Sequence, residues 1–397
     1  MLSSVKPFEC EISVGVFITG LKRFCYMAVM AYFLLPGTVE AKKSKRLIFF
    51  TDLNARWIAD KGNYARTASL NPRVGVPLEL AWKKRIGRSI GATPSAAEEV
   101  LFVGTRDRRL VALDRNTGER FWRKTFKGGF GGSVLITGGM LYFNTRAPDG
   151  KVYSLQINFK KKHLEREFGP SNASPILEQN QLFLFAQSGK VLCLNPEIGY
   201  RNWERKLEGT IEYAPVYLDP FLYVATVGGD IYKLDSVTGL VLNHRKLDGY
   251  ILGDLCSDGV DILTCLNNGK ILCLGPDSLS TRWEAKPGTM FFSGPVYSED
   301  AIYLCSREGW LIKLDATDGS LVWKTPLEGV TVAAPSLTDN LIFTGTKSGC
   351  LAAYDTESGE RLWQTKIREG ISTAPLIFKD FVYYCTDRGT VYAFHQK

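Results

Sequence analysis

Short apolar runs alternate along this chain with turns rich in Gly, Asp and Asn, and the alternation has a period of about 40 residues. The stretch from Ala333 to Trp363 shows the grammar of one unit. A short strand follows Pro335, and Leu341 to Thr346 read as a second strand. Ser348-Gly349 is a tight hairpin, because Gly accepts the positive φ that such turns require. Leu351 to Tyr354 form a third strand. Asp355 to Gly359 turn again, the Asp carboxylate being placed to accept from the backbone ahead of it. Glu360 to Lys366 form a fourth strand that carries Trp363. Four antiparallel strands in about 40 residues make one propeller blade.

Three residue types keep the same period. Trp82, Trp122, Trp203, Trp283, Trp323 and Trp363 are separated by 40, 81, 80, 40 and 40 residues, with empty slots near His163 and Asn243. Gly189, Gly229, Gly269, Gly309, Gly349 and Gly389 form a second ladder, and Pro94, Pro175, Pro215, Pro295, Pro335 and Pro375 a third. Third-strand segments starting at Val111, Val152, Val191, Ile231, Ile271, Leu311, Leu351 and Val391 give eight units. The eighth stops after its third strand, while Glu79 to Ile86 stands alone at the other end with Trp82 one period before Trp122. The pattern therefore predicts an all-β fold: an eight-bladed β-propeller of four-stranded antiparallel blades, with the N-terminal strand completing the last blade. Closure removes the sheet edges that an open array would expose.

Units two and four lack the tryptophan, and unit two is the most irregular. Its turn, Pro148-Asp149-Gly150, is one residue longer, and its fourth strand falls in the basic stretch Lys160 to Arg166. This blade is either degenerate or altered to contact something.

The first residues belong to a different pattern. Residues 24–35 are an apolar run preceded by Lys22-Arg23 and followed by Val39-Glu40-Ala41, the order of a secretory signal peptide. The run is short for a membrane span, although an uncleaved anchor is the alternative. The region before Lys22 is long for such a signal, which suggests a true start near Leu21. Three parts are expected: an export segment (1–41), an N-terminal extension (42–78) and the propeller (79–397). The predicted location is the periplasm or cell envelope.

Composition adds little to this. The formal net charge of +8 is modest for 397 residues and mixed in sign along the chain, unlike the concentrated charge of a nucleic-acid binder. The basic run Lys42-Lys43-Ser44-Lys45-Arg46 reads as a solvated tail, with peripheral association to an anionic membrane as the alternative.

The units resemble the quinoprotein-like, or PQQ-like, propeller repeat, whose motif Ala-x-Asp-x-x-Thr-Gly-x-x-x-Trp stands complete from Ala112 to Trp122. Weaker copies run from Lys313 to Trp323 and from Ala353 to Trp363. WD40 and kelch repeats match less well, because here the Trp follows Thr-Gly. The segment Trp57 to Thr67 is similar to a stretch that precedes the first blade in secreted members and is expected to pack across one end of the ring. The resemblance implies that each outer-strand Trp docks on the neighbouring blade, where a rigid ring with one N–H staples two sheets.

Catalytic members of this family use a quinone beneath a vicinal Cys pair, with a Ca²⁺ held by Glu and Asn and an Asp as base. This sequence has no adjacent cysteines, and Asp114, Asp235, Asp315 and Asp355 sit in the repeat as turn formers. Cys265, Cys305 and Cys385 share one slot, where other units place Gly104, Ala225 and Gly345, so Cys there is a small apolar filler. Cys193 and Cys273 share another. A Cys256–Cys265 pairing is conceivable but not expected. His163, His244 and His395 show no metal-ligand spacing. Gly128-Gly129-Phe130-Gly131-Gly132 leads into a strand and reads as a linker between blades rather than a phosphate loop. No cofactor, metal or catalytic residue is therefore assigned.

The leading functional expectation is a non-catalytic, protein-binding scaffold of the cell envelope, a monomer within a larger complex. The chain is similar to the propeller subunits of the outer-membrane β-barrel assembly machinery, but it lacks the lipid-modified Cys of those lipoproteins. An oxidoreductase using the axial pocket is one alternative. A ligand-binding or sensor propeller is another, suggested by Phe291, Phe292 and Trp310 as a candidate binding surface. Trp310 follows hairpin Gly309 where other units carry Lys190 or Cys350.

Overall fold

The computed structural model describes residues 69–70, 74–158 and 161–397, the first two by their backbone alone. The expected export segment, most of the extension, the basic run and the Trp57 to Thr67 stretch lie outside these residues. The strands form eight antiparallel sheets arranged as a propeller. Blade 1 is typical, with strands Ser95–Ala97, Val100–Gly104, Arg109–Asp114 and Arg120–Thr125 running from the axis to the rim.

The eighth blade is assembled from both ends of the chain. Leu376–Phe378, Phe381–Cys385 and Thr390–Gln396 supply three strands, and Leu78–Arg85 pairs antiparallel with Thr390–Gln396 as the outer one. This sheet has a fifth strand that the repeat does not announce: Ser69–Leu70 pairs in parallel with the innermost strand, Ser69 beside Ile377 and Leu70 beside Phe378. A two-residue strand carries no periodicity, so the pattern had no means of showing it.

The core lies between blades, where the inner faces of neighbouring sheets pack. One cluster joins Tyr383 and Val391 of blade 8 to Leu101 and Val103 of blade 1 and on to Leu141 and Phe143 of blade 2. Full burial of each such side chain contributes roughly 1.5–3 kcal/mol, so this cluster seals the ring where the two chain ends meet.

Four of the six repeat tryptophans bond the following blade. Trp82, Trp203, Trp283 and Trp363 donate their indole N–H groups to the carbonyls of Arg115, Ser236, Ala316 and Leu78, each on the next blade, at 2.9–3.0 Å. Trp82 also rests on Gly118 of blade 1, where φ is 69° and an added Cβ would lie 2.6 Å from the indole ring. Gly and Trp of the motif are thus one device divided between two blades. Trp122 and Trp323 pack on Phe102 and Tyr303.

The two missing tryptophans are replaced in different ways. In blade 4, Asn243 donates its amide to the carbonyl of Asp277 at 3.0 Å. In blade 2, Leu164, not His163, pairs with Ser154 at the docking position and lies against Gly199 of blade 3. A second ladder supports these seams. Tyr142, Tyr223, Tyr303 and Tyr383 donate their hydroxyls to the carbonyls of Pro196, Pro276, Thr356 and Arg115 on the following blades, at 3.0–3.4 Å. Blades 2 and 4, which lack the tryptophan, thus keep this tyrosine bond to the next blade.

Candidate functional site

Each linker between blades passes the propeller axis. Ile90, Phe130, Ser171, Ile211, Ile251, Phe291, Thr331 and Ile371 occupy one buried slot of these linkers. Phe291 is 1% exposed, so its expected place on a binding surface is corrected: it plugs the core as the isoleucines do, and its phase in the repeat was the available signal. Phe292, one residue on, is half-buried at the axial mouth with the Arg307 guanidinium 5.1 Å from its ring centre. Trp310 is half-buried elsewhere, at the start of strand Trp310–Asp315, beneath Lys324 at 4.6 Å. The three aromatics do not form one surface.

The axial mouth encloses about 270 Å³, lined mainly by small residues of the linkers. Arg106 and Arg146 project from blades 1 and 2, Glu212 and Asp254 from blades 4 and 5. Glu212 is already engaged, accepting from Gln187 Nε2 at 2.7 Å and from the Asn172 amide. Asp254 accepts from the Ala214 N–H at 2.9 Å. Burial, then the nearby Asp254 and Glu212 carboxylates, push the Tyr213 hydroxyl above its ordinary range. These acids stitch linkers together.

That donor set does not fit a quinone with calcium. No three or more His, Cys, Asp or Glu side chains stand where they could share a metal ion, among the described residues. The seven described cysteines are free and buried, and desolvation pushes Cys193 and Cys273 up to about 12. His244 lies against Asp230 and His395 against Glu79, on separate blades. The motif aspartates behave as turn formers: Asp235 accepts the Thr238 hydroxyl at 2.7 Å and the N–H groups of Thr238 and Val237 at 2.7 and 3.1 Å, and these bonds, the hydroxyl foremost, hold its carboxyl below the usual range.

A different surface emerges on the turns between third and fourth strands. Two positions before the turn's last residue the repeat places polar side chains: Thr117, Ser278, Asp318 and Ser358. Blade 3 has Ile198 there, 75% exposed. At the last position Glu119, Ser280, Ser320 and Glu360 are polar, but blades 3 and 4 carry Tyr200 and Leu240, 69% and 53% exposed. Val237, Val241 and Leu242 extend the strip along blade 4. The two turns are neighbours, since Trp203 and Arg205 of blade 3 bond the Ser236 and Gly239 carbonyls of blade 4. Two adjacent turns that replace polar residues with exposed apolar ones mark a contact surface. Comparison of the turns in phase would have exposed it in the sequence.

Comparison with known proteins places these features. A family model described as outer membrane protein assembly factor BamB matches residues 79–161, 158–265 and 267–397. Outer membrane protein assembly factor BamB of Shewanella oneidensis is 22% identical over 266 residues, 62% of this chain and 60% of that protein. Its counterpart from Legionella pneumophila is 25% identical over 193 residues, 45% of this chain and 49% of that protein. The matches thus span about half to three-fifths of these relatives. BamB from Moraxella catarrhalis superposes with a TM-score of 0.68 at 15% identity, covering 80% of this chain and all of that one. Quinohemoprotein alcohol dehydrogenase from Comamonas testosteroni gives 0.71 at 15% identity, covering 86% and 81%. At these identities the structural likeness establishes the fold.

Proposed function

Because this chain belongs to the family of the outer membrane protein assembly factor BamB, we propose that it is a non-catalytic, protein-binding scaffold of the cell envelope that works in outer-membrane protein assembly. The observation that carries this reading is the exposed apolar group Ile198, Tyr200, Val237 and Leu240 on the turns of blades 3 and 4, set where blades 1, 5, 6 and 7 are polar. A rigid ring presents it at low entropic cost, and the free outer edge of strand Val241–Lys246 lies beside it for strand addition by an extended partner segment. The likeness to quinohemoprotein dehydrogenases is one of fold, and the axial residues offer a donor set unlike that of a quinone held with calcium.

The reading places the protein in the periplasm, as part of a larger complex. Its test is the outer-membrane content of β-barrel proteins in cells with and without the chain. Barrel levels should fall on deletion and return with the wild-type chain but not with Ile198→Asp/Leu240→Asp. Unchanged levels on deletion would refute the role.

A further inference from the structure

Four of the eight blades share a polar pairing at the rim. The residue opening a blade's third strand stands diagonally across from the residue fourteen positions later on the fourth. In blades 2, 3 and 5 these residues form ion pairs, Lys151 with Glu165, Lys190 with Glu204 and Lys270 with Glu284, at 3.0–3.6 Å, and in blade 4 Asp230 and His244 are hydrogen-bonded at 3.1 Å. In blade 6, Lys324 lies over the Trp310 ring instead. Blades 7 and 8 open with uncharged Cys350 and Thr390.

Blade 1 is the one that places two like charges at these positions. Its opening residue is Arg109 and the residue fourteen later is Arg123. Arg123 registers opposite Val111, and Arg120 opposite Leu113, so all three arginines share the sheet face that looks toward blade 8. From the other wall, the outer strand of blade 8 contributes Lys84 and Arg85. The groove between them holds about 280 Å³ above Ile86, Val111 and Leu113, and its lining includes no carboxylate. Asp107 engages Arg109 from outside at 3.3 Å, leaving five cations against one anion. Arg109 and Arg123 stand diagonally across the strand pair, opposite Thr125 and Val111, within reach of each other's long side chains, so an anion in the groove would relieve their mutual repulsion. Four of the five cations are arginines, whose planar fork matches an oxyanion bidentately.

We propose that this groove between the eighth and first blades binds a phosphate oxyanion. A membrane lipid headgroup and a soluble phosphate share that chemistry, and the test separates them. The purified full chain is sedimented with phosphatidylcholine vesicles with or without phosphatidylglycerol, and titrated with inorganic phosphate by calorimetry. Arg123→Glu gives blade 1 the ion pair of its neighbours and should keep the thermal midpoint. Lys206→Glu makes the same charge change on the outer strand of blade 3, away from the groove. The expected result is binding of one probe that Arg123→Glu weakens about tenfold, as loss of a charge-assisted contact would, and that Lys206→Glu leaves within about twofold. Selective binding to phosphatidylglycerol vesicles identifies a lipid source, and binding of phosphate alone identifies a soluble one. Failure to bind either probe, or equal weakening by the two variants, overturns the proposal.

Discussion

Trp82, near the start of the propeller, donates its indole N–H to the carbonyl of Arg115, 3.0 Å away across the seam between the last blade and the first. The same carbonyl accepts the Tyr383 hydroxyl at 3.1 Å, and the Arg115 guanidinium reaches Asp380 at 2.9 Å. One residue of blade 1 thus ties down both the N-terminal strand and the C-terminal hairpin of blade 8. In a closed ring this seam is where the chain's two ends must be held.

The Gly118 and Trp82 contact gives the first prediction. Gly118→Ala forces a side chain into positive φ and against the indole. Gly138→Ala meets the same backbone penalty, at φ 53°, with nothing within 4 Å. Gly138→Ala should cost about 1 kcal/mol, and Gly118→Ala about 2–4 kcal/mol, the excess coming from overpacking. Denaturant unfolding of both variants checks this, and equal costs would mean that the contact does not constrain the seam.

Much of this architecture was legible in the sequence, for a physical reason. A propeller repeats one local solution eight times, so Trp, Gly and Pro recur at each position where that solution needs them. Blade number, strand order and ring closure followed from these ladders. Phe291 was misplaced because it was read as an isolated aromatic, although Ile251 and Ile371 stand in its slot. Leu164 was hidden because unit two breaks the spacing: its cross-strand partner Ser154 stands 42 residues after Ala112, the partner of Trp122, and 39 before Cys193, the partner of Trp203. Ser69–Leu70 is too short to leave a pattern. The strip on blades 3 and 4 required asking which residues depart from the repeat, since function is written in the exceptions.

Ring closure by the N-terminal strand makes truncation informative. Removing residues 1–85 deletes Leu78–Arg85 and leaves Thr390–Gln396 as an open edge. Such edges pair with other chains. The truncated protein should elute as oligomers in size-exclusion chromatography and lose a single cooperative transition. A monodisperse monomer with the parent's melting curve would contradict the closure.

Alkaline pH should loosen the ring. Burial raises the tyrosyl hydroxyls of Tyr142 and Tyr223, the latter to about 12, and the thiols of Cys193 and Cys273 to about 12. These groups stay protonated in the folded chain after their unfolded counterparts ionise, so the unfolded state binds fewer protons and stability falls as pH rises. The loss begins near pH 8.5 for the thiols and near pH 10 for the tyrosines; for Cys193, Cys273 and Tyr223 it continues to about 12, at no more than about 1 kcal/mol per group per pH unit. Urea midpoints from pH 7 to 11 measure it. In the same samples the seven buried thiols should resist a disulfide exchange reagent until the chain unfolds.

The central claim, that blades 3 and 4 present a partner-binding surface in outer-membrane protein assembly, is tested most directly by affinity capture from envelope extracts. Wild-type chain and the Ile198→Asp/Leu240→Asp variant are compared, with bound proteins identified by mass spectrometry. Both substitutions lie on exposed turns and should change stability by less than about 0.5 kcal/mol, which a melting curve confirms. The account predicts that the wild type retains subunits of the outer-membrane assembly machinery and that the variant loses them. Capture of the same subunits by both chains would contradict it, as would a wild-type chain that retains none.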